Sequence, residues 1–332
     1  MTDVGGTVIF SAFFFRAEYF FVGMILAMNL LSGRLFVGLF VCGFMGVFLN
    51  DAAADQVVMP DMIDVLPGHV VMGAQPEDWA AGEDEFPRHE VSSEKGDRMS
   101  VLPVTRGQFL TCVEAIGYAP KNVCRISCTR GWVNLAKADW RDPGFEQTDQ
   151  HPAVCVSWDD AQAYISWLND ETGGAYRLPT ESEWAFAARA GSTGLNFWGD
   201  SAYDSCTYAN INDISAKNKS VKAAEPCDDG YLYTSPVGTF EPNEFGLYDI
   251  QGNAWEWVAD CWTGNYASHP HDGSATVSIE GKCMEHVARG GSWYDIPGPV
   301  RLEVREHRAA TMRMSFIGFR LAADKAAEHQ PN

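Results

Sequence analysis

The sequence predicts an α+β domain in which irregular backbone outweighs regular structure. Two observations carry that prediction. Three segments open with side chains that cap a helix, and between them Gly, Pro, Asn and Asp interrupt the chain every few residues, the mark of turns and loops. A third observation sets the domain count. From residue 65 to residue 322 there is no Pro/Ser-rich linker, no low-complexity run and no repeat of fixed period. One compact domain is therefore expected over residues 65–323, after a short linker at 55–64 and before a polar tail at 324–332.

Residues 1–54 differ in composition from the rest. Leu35 to Leu49 is a fifteen-residue apolar run, preceded by Arg34 and followed by Asn50-Asp-Ala-Ala-Ala54. A basic flank, a short apolar core and a small-residue exit describe a secretory signal peptide. The run is short for a spanning helix, which needs roughly twenty residues. The apolar character of residues 8–32 leaves two other readings open: a start at Met24 or Met28, or a retained membrane anchor.

Past the leader, a short strand is expected over Val65–Met72. Thr105-Arg-Gly-Gln108, Ser157-Trp-Asp-Asp160 and Thr180-Glu-Ser-Glu183 each place a hydroxyl at the N-cap and an acid or amide three residues on. That pairing satisfies orphan backbone N–H groups reciprocally and starts a helix. Phe109, Val113 and Ile116 form one apolar face behind the first start, and Ala161, Ile165 and Leu168 one behind the second. Gly173-Gly174 and Gly191 end the second and third helices. Further short strands are expected over Val287–Arg289 and Phe316–Leu321. So much loop backbone must be satisfied by side chains, ions or disulfides, and the eleven Trp suit a core of large rings set between loops.

The charge balance is 24 Lys and Arg against 44 Asp and Glu, a net −20. This speaks against nucleic acid or an anionic membrane surface as a partner. Membrane contact is left to the leader, if it is uncleaved. Nine cysteines are present, with Cys42 in the leader. The even remainder fits disulfides in an exported chain, periplasmic or secreted. Spacing does not fix connectivity. The expected pairs are Cys206–Cys227 and Cys261–Cys283, each closing a polar loop, and Cys155 with Cys124 or Cys128. A zinc site is not expected, because no paired Cys-x-x-Cys or His stands at ligand spacing.

The densest motif is Gly246-Leu-Tyr-Asp-Ile-Gln-Gly-Asn-Ala-Trp-Glu-Trp257, followed by Arg289-Gly-Gly-Ser-Trp293 and Gly318-Phe-Arg-Leu-Ala322. Asp249 and Glu256 bracket a Gly-Asn turn, so carboxylates and carbonyls can converge on a hard cation such as calcium. The same residues could instead brace a Trp-rich core. Together with Val70-Val-Met-Gly73, His151-Pro-Ala-Val-Cys-Val-Ser-Trp158 and Tyr176-Arg-Leu-Pro-Thr-Glu-Ser-Glu-Trp184, and with Trp198-Gly-Asp200, Tyr208-Ala-Asn210 and Ser235-Pro-Val-Gly238, the series resembles the formylglycine-generating enzyme (sulfatase-modifying factor) family from about Val65 to Ala322.

The resemblance implies a relative of the C-type lectin fold and two structural calcium sites. One would use Asp249, the Gly252 and Ala254 carbonyls, and Glu256. The other would use Asn210, the Ile211 carbonyl, Asp229 and the Tyr231 carbonyl. The alternative for the second is that Asp228 and Asp229 cap a turn. In the oxidase members, one cysteine lies three residues after the Arg-Gly-Gly-Ser serine and another five further on, and their thiolates bind copper(I). Here Asp295 and Val300 hold those positions, and no cysteine follows Cys283. Copper is therefore not expected. The segment Ser292–Arg308 is instead dense in ionisable groups. Asp295, Glu303 and His307, with Ser292 and Arg301, are the candidate functional set for acid–base work. They could equally form a structural ion-pair net, the role the resemblance implies for Arg308 and Arg320.

The expected function is ligand or protein binding in the maturation of an exported small molecule, protein or peptide. Two alternatives are an oxidase acting on a sulfatase cysteine and a lectin-like recognition module. The chain has no His-x-x-x-His motif, so iron oxygenase chemistry is not expected.

Overall fold

The computed structural model describes residues 57–93, 96–120, 123–128, 131–135, 138–201, 203–215, 226–278, 281–295 and 300–325. The signal-peptide reading over 1–54, residues 296–299 and all but the start of the expected tail lie outside the described residues. So does the side chain of Cys128.

The three helices begin at the three capping boxes. They are α1 (Arg106–Ile116), α2 (Trp158–Thr172) and α3 (Glu181–Arg189). Thr105 accepts from the Gln108 amide at 3.2 Å while the Gln108 side chain accepts from the Thr105 amide at 2.9 Å. Ser157 with Asp160 and Thr180 with Glu183 repeat the exchange. Gly173 caps α2 in the left-handed region, and α3 is capped by Ala190, one residue before the expected Gly191. On α1, Phe109 and Val113 are buried but Ile116 faces solvent, so the apolar face is narrower than its spacing suggested. A fourth, one-turn helix, α4, spans Ser205–Tyr208.

The expected strand at 65–72 is two strands, β1 (Met62–Val65) and β2 (Gly68–Met72). Pro67 lies between them and has no N–H to continue a ladder. β2 pairs with β3 (His89–Ser93) in a separate ribbon. β1 joins β4 (Asp97–Ser100), and a second ribbon pairs β5 (Cys124–Cys128) with β6 (Gly131–Leu135). The first four-stranded sheet runs β1-β4-β12-β7, where β7 is Tyr176–Arg177 and β12 is Ala322–Asp324. The second runs β10-β9-β8-β11, from β8 (Trp255–Cys261), β9 (Glu285–Arg289), β10 (Arg305–Ala309) and β11 (Ile317–Phe319). Within it only the β8–β11 pair is parallel. Of the expected strand at 316–321, only Ile317–Phe319 is strand, in the second sheet, and Arg320 and Leu321 cross from it to β12 in the first.

This topology corrects the expected kinship with the C-type lectin fold. That expectation rested on loop content and on a family likeness, and neither specifies strand order. The structure is an α+β domain built on the β10-β9-β8-β11 sheet.

Among the described residues, two large apolar clusters fill the interior, beside a small one of Ala209, Ile211 and Val300. Phe109, Trp140, Tyr164, Trp167, Trp257 and Phe319 anchor the first large cluster, and Met72, Trp184, Leu247, Val258 and Val287 the second. Disulfides join Cys124 to Cys155, Cys206 to Cys227 and Cys261 to Cys283. Cys112 is a buried free thiol, pushed up to about 12 by burial.

Buried ion pairs lock the second sheet to α3. Glu181 Oε1 accepts from Arg289 Nη1 at 2.6 Å, from Arg305 Nε at 2.7 Å and from the Tyr266 hydroxyl at 3.0 Å. Its Oε2 accepts from Arg305 Nη2 at 2.9 Å. Burial alone would raise the Glu181 pKa, but the two guanidinium groups overcome burial and hold it at about 2. Because that lies below the usual 4.5, this stabilisation is complete above pH 4.5 and is lost as the pH falls towards 2. Glu181→Gln leaves buried arginine charge uncompensated and is expected to cost about 3–5 kcal/mol near neutral pH in urea unfolding. The gap from wild type should close across that acid window. A gap independent of pH would contradict the assignment.

Candidate functional site

The turn after β9 builds the site. Gly290 has φ +104°, and a Cβ there would meet the Ile250 carbonyl at 2.9 Å, so only glycine fits. The chain then places Ser292 fully buried, with its Oγ donating to Asp295 Oδ2 at 2.6 Å. From β8, Trp255 Nε1 donates to the same oxygen at 2.6 Å. The Asp295 backbone is fixed as well: its N–H reaches the Ser292 carbonyl at 3.0 Å, and its carbonyl accepts from the Asn212 amide at 3.1 Å. Burial pushes the Asp295 carboxyl up, the Ser292 and Trp255 hydrogen bonds pull it back, and the balance is about 6. Asp295 is thus a carboxyl group poised near neutrality on a rigid turn.

Aromatic rings flank this turn. Trp293 meets Phe145 and Tyr233 edge-on at 5.5 and 5.1 Å, and Phe145 stacks on Tyr233 at 4.4 Å. Phe145 also lines an open groove with Arg141, Asp142, Gln147 and His151. Val300, the other position matched to a cysteine in the oxidases, is buried against Ala209 and Ile211.

The remaining candidates bond elsewhere. Glu303 accepts the Gly73 amide at 2.7 Å and pairs with Arg189. Arg301 grips the loop after β2 through Asp78, Glu85 and the Ala80 carbonyl. His307, on β10, pairs with Glu285 at 2.9 Å and stacks on Trp262 at 4.2 Å. Of the five residues expected to form one set, the structure brings together Ser292 and Asp295. Trp255, which completes their hydrogen bonding, carried no sequence signal beyond its place in the Trp-rich motif.

Asp249, Glu256 and Asn210, expected as cation ligands, are buried. Asp249, at φ +51°, accepts the Gly238 amide at 2.6 Å, and burial raises it to about 6. Glu256 Oε2 accepts from Arg320 Nε and Trp184 Nε1, each at 2.7 Å, while its buried Oε1 has no partner. Nearby, Asp229 accepts the Ile211 and Tyr231 amides at 2.9 and 2.8 Å. Burial raises Asp229 to about 7, and Asp213, which accepts the Asp229 amide at 2.5 Å, adds to that. Buried Asn210 Oδ1 is also without a partner. An unpartnered buried oxygen in each cluster fits a hard cation held by oxygen ligands. Asp213 was missed in the sequence; its signal was a carboxylate three residues after Asn210. Cys206 lies close to Asp213 and Asp229, but its sulfur is committed to Cys227. A copper(I) ion does not fit at Asp295 and Val300, which offer no sulfur.

A third cluster joins Glu181, Asp260 and His269. His269 Nε2 lies 4.0 Å from Glu181 and 3.8 Å from Asp260. Glu181 is already paired with both Arg289 and Arg305, so a divalent ion would be placed against two guanidinium groups.

Residues 49–325 match the family model described as "Sulfatase-modifying factor enzyme 1-like domain". The chain belongs to the sulfatase-modifying factor family, as a member without the cysteine pair of its oxidases. It is 34% identical over 213 residues to a protein named formylglycine-generating enzyme from Bos taurus, covering 60% of this chain and 52% of that one. The chain therefore spans about half the length of that relative. It is 31% identical over 296 residues to one named inactive C-alpha-formylglycine-generating enzyme 2 from Mus musculus, covering 80% and 86%. Among solved structures, PvdO from Pseudomonas aeruginosa superposes with a TM-score of 0.66 at 33% identity, covering 80% of this chain and 94% of that one. The fold is thus that of the sulfatase-modifying factor domain with its half-barrel sheet, which replaces the C-type lectin assignment.

The Ser292 hydrogen bond favours the charged form of Asp295. In Ser292→Ala the Asp295 titration midpoint, followed by carboxyl carbon NMR, should rise above its wild-type position near 6. An unmoved or lowered midpoint would contradict the geometry.

Proposed function

We propose that this protein is an exported, cysteine-free binding member of its family, serving the maturation of a small molecule or peptide held at Asp295. The observation that carries the reading is the Asp295 carboxyl, half-buried on the Gly290–Asp295 turn and bonded by Ser292 and Trp255. It stands where the resemblance puts the first copper-binding thiolate. Above about pH 6 it is a carboxylate able to take a proton from a bound hydroxyl or amine. Below that it can return one. Ser292 and Trp255 orient the carboxylate, and Trp293, two residues before it, carries the Phe145 and Tyr233 rings in edge-on contact. Likeness to active oxidases over part of their length does not transfer their reaction.

Calcium, in this reading, is structural. Asp249 and Glu256 with the Gly252 and Ala254 carbonyls would hold one ion. Asn210, Asp229 and the Ile211 and Tyr231 carbonyls, with Asp213, would hold another. Each ion would supply a partner for an oxygen that has none, Glu256 Oε1 in the first set and Asn210 Oδ1 in the second. Three disulfides among the described residues support an oxidising compartment. No helix among the described residues is long and apolar enough to cross a membrane.

Elemental analysis of the purified protein is expected to find calcium and no copper. Chelation should lower the Tm, because an ion bound to the native state alone stabilises by about 2.7 kcal/mol when present at a hundred times its Kd. A melt unchanged by chelator would remove calcium from the account. A Cys-x-Pro-x-Arg peptide incubated with copper and oxygen should remain unoxidised; its oxidation would restore the oxidase reading. Binding or turnover of the cognate ligand should survive chelation at a temperature where the fold persists, and should fall in Asp295→Ala.

A further inference from the structure

Three of the eight histidines meet at one place. His89 opens β3, while His269 and His271 lie in the connection between β8 and β9. Backbone bonds hold that connection to β3. The Tyr266 amide donates to the Phe86 carbonyl at 2.8 Å, and the Ser92 amide to the His271 carbonyl at 3.0 Å. The His89 ring is centred 5.0 Å from that of His269 and 5.3 Å from that of His271. His89 Nε2 and His269 Nδ1 are 3.1 Å apart, across 180 residues of sequence, beyond the reach of any spacing motif. None of the Asp295 set or of the calcium ligands belongs to this group.

The hydrogen bonds fix which nitrogens carry protons. A carbonyl only accepts. His89 Nδ1, 3.0 Å from the Pro87 carbonyl, and His271 Nδ1, 2.8 Å from the Glu90 carbonyl, are therefore donors. In the neutral rings each Nε2 is then a lone pair. His269 Nδ1 faces two acceptors, His89 Nε2 and the Pro270 carbonyl at 3.0 Å, so its proton is there too. That leaves His269 Nε2 as a buried lone pair with no hydrogen-bond partner, 3.8 Å from Asp260 Oδ1 and 4.0 Å from Glu181 Oε2. A lone pair set against carboxylate oxygens is repelled. A second proton would relieve it. Burial, helped by His89 and Arg305 and opposed by Glu181, instead holds the His269 pKa down at about 4.

A metal ion relieves the same conflict without added protons. Bound at Nδ1, it displaces the proton to Nε2, where the N–H points at Asp260 and Glu181. Metal-bound imidazoles are commonly held in this way, with the second N–H on a carboxylate or a carbonyl. His89 and His271 already have that support from Pro87 and Glu90. The ion would lie on the far side of the His269 ring from Glu181 and its two arginines. Asp260, which pairs with no Lys or Arg among the described residues, offsets its charge. The dimensions agree. Zinc–nitrogen bonds of about 2.0–2.1 Å at a tetrahedral angle put ligand nitrogens about 3.4 Å apart and ring centres about 5 Å apart. His271 is exposed, so its side chain is free to turn Nε2 to the ion.

We infer that His89 Nε2, His269 Nδ1 and His271 Nε2 form a zinc(II) site at the junction of β3 and the β8–β9 connection, with water as the fourth ligand. It is independent of the Asp295 reading and stands whether or not that reading holds.

Zinc sulfate is the probe, titrated into the full chain near neutral pH with calcium in excess to keep the oxygen sites filled. A single zinc per chain should bind. Nitrogen-15 NMR of the histidine rings should show His269 passing from its Nδ1–H to its Nε2–H tautomer. His89→Ala and His271→Ala, at a half-buried and an exposed position, should each weaken binding at least about a hundredfold. Asp260→Asn keeps all three ligands and should weaken it about ten- to a hundredfold. Magnesium should not compete, because it prefers oxygen ligands. Absence of saturable zinc binding would overturn the inference. Full-strength binding in a folded His89→Ala or His271→Ala would do the same, by placing the ion elsewhere, and so would a zinc complex in which His269 keeps its Nδ1 proton. Should Asp260→Asn fail to fold, the two histidine variants and the tautomer decide.

Discussion

Glu181 is a carboxylate with no access to water and two guanidinium groups against it, and much of this fold is arranged around that fact. Arg289 comes from the end of β9 and Arg305 from the start of β10, while Glu181 itself opens α3. Its own amide donates to Asp260 of β8 at 2.6 Å. One residue, through its side chain and its amide, thus joins a helix to three strands of the second sheet. Removing either kind of partner would strand charge in a medium that cannot solvate it. Arg320 and Glu256 repeat the arrangement between the two sheets. Arg320 also donates to the carbonyls of Ser100, at the end of β4, and of Tyr248, in loop backbone, at 3.0 and 2.8 Å. In a chain this poor in long strands, buried ions take over work that sheet hydrogen bonds do elsewhere.

The Asp295 turn inherits its rigidity from that frame. It begins one residue after Arg289, so the Glu181 pairing fixes one end. Trp255 and Asn212 fix the other through hydrogen bonds from separate segments. Exchanging a thiolate for a carboxylate at such a place changes which partners are acceptable, from soft metals to protons and donors, with the surrounding scaffold kept. The 31% identity with a relative named inactive is in keeping with a scaffold that outlasts one particular chemistry.

What the sequence disclosed was local. Each capping box lies within four consecutive residues, and all three helices start where those residues stand. The Ser292–Asp295 bond spans three residues and was within reach for the same reason. β8 escaped because it is buried along nearly its whole length, so no polar–apolar alternation marks Trp255–Cys261. The Glu181–Arg289 pair escaped because its members are 108 residues apart. Glu303, Arg301 and His307 sat in a charged stretch that suggested one cluster, yet their partners are Arg189, Asp78, Glu85 and Glu285, in other elements. The lectin kinship failed for a related reason: strand order is a property of pairings between distant segments.

The disulfides carry a consequence for how the chain is made. The bridges follow one another along the sequence without interlacing, at 124–155, 206–227 and 261–283. For the last two, each cysteine pairs with the next one to emerge, so oxidation in order of synthesis yields them directly. The first is different, because Cys112 precedes Cys124 and Cys128 intervenes before Cys155. Joining neighbours as they appear would there produce wrong partners. Burial of Cys112 between α1 and α2 withdraws it from that competition. The N-terminal half must therefore collapse, or be reshuffled by an isomerase, before its bridge is correct, whereas the C-terminal half can be sealed as it emerges.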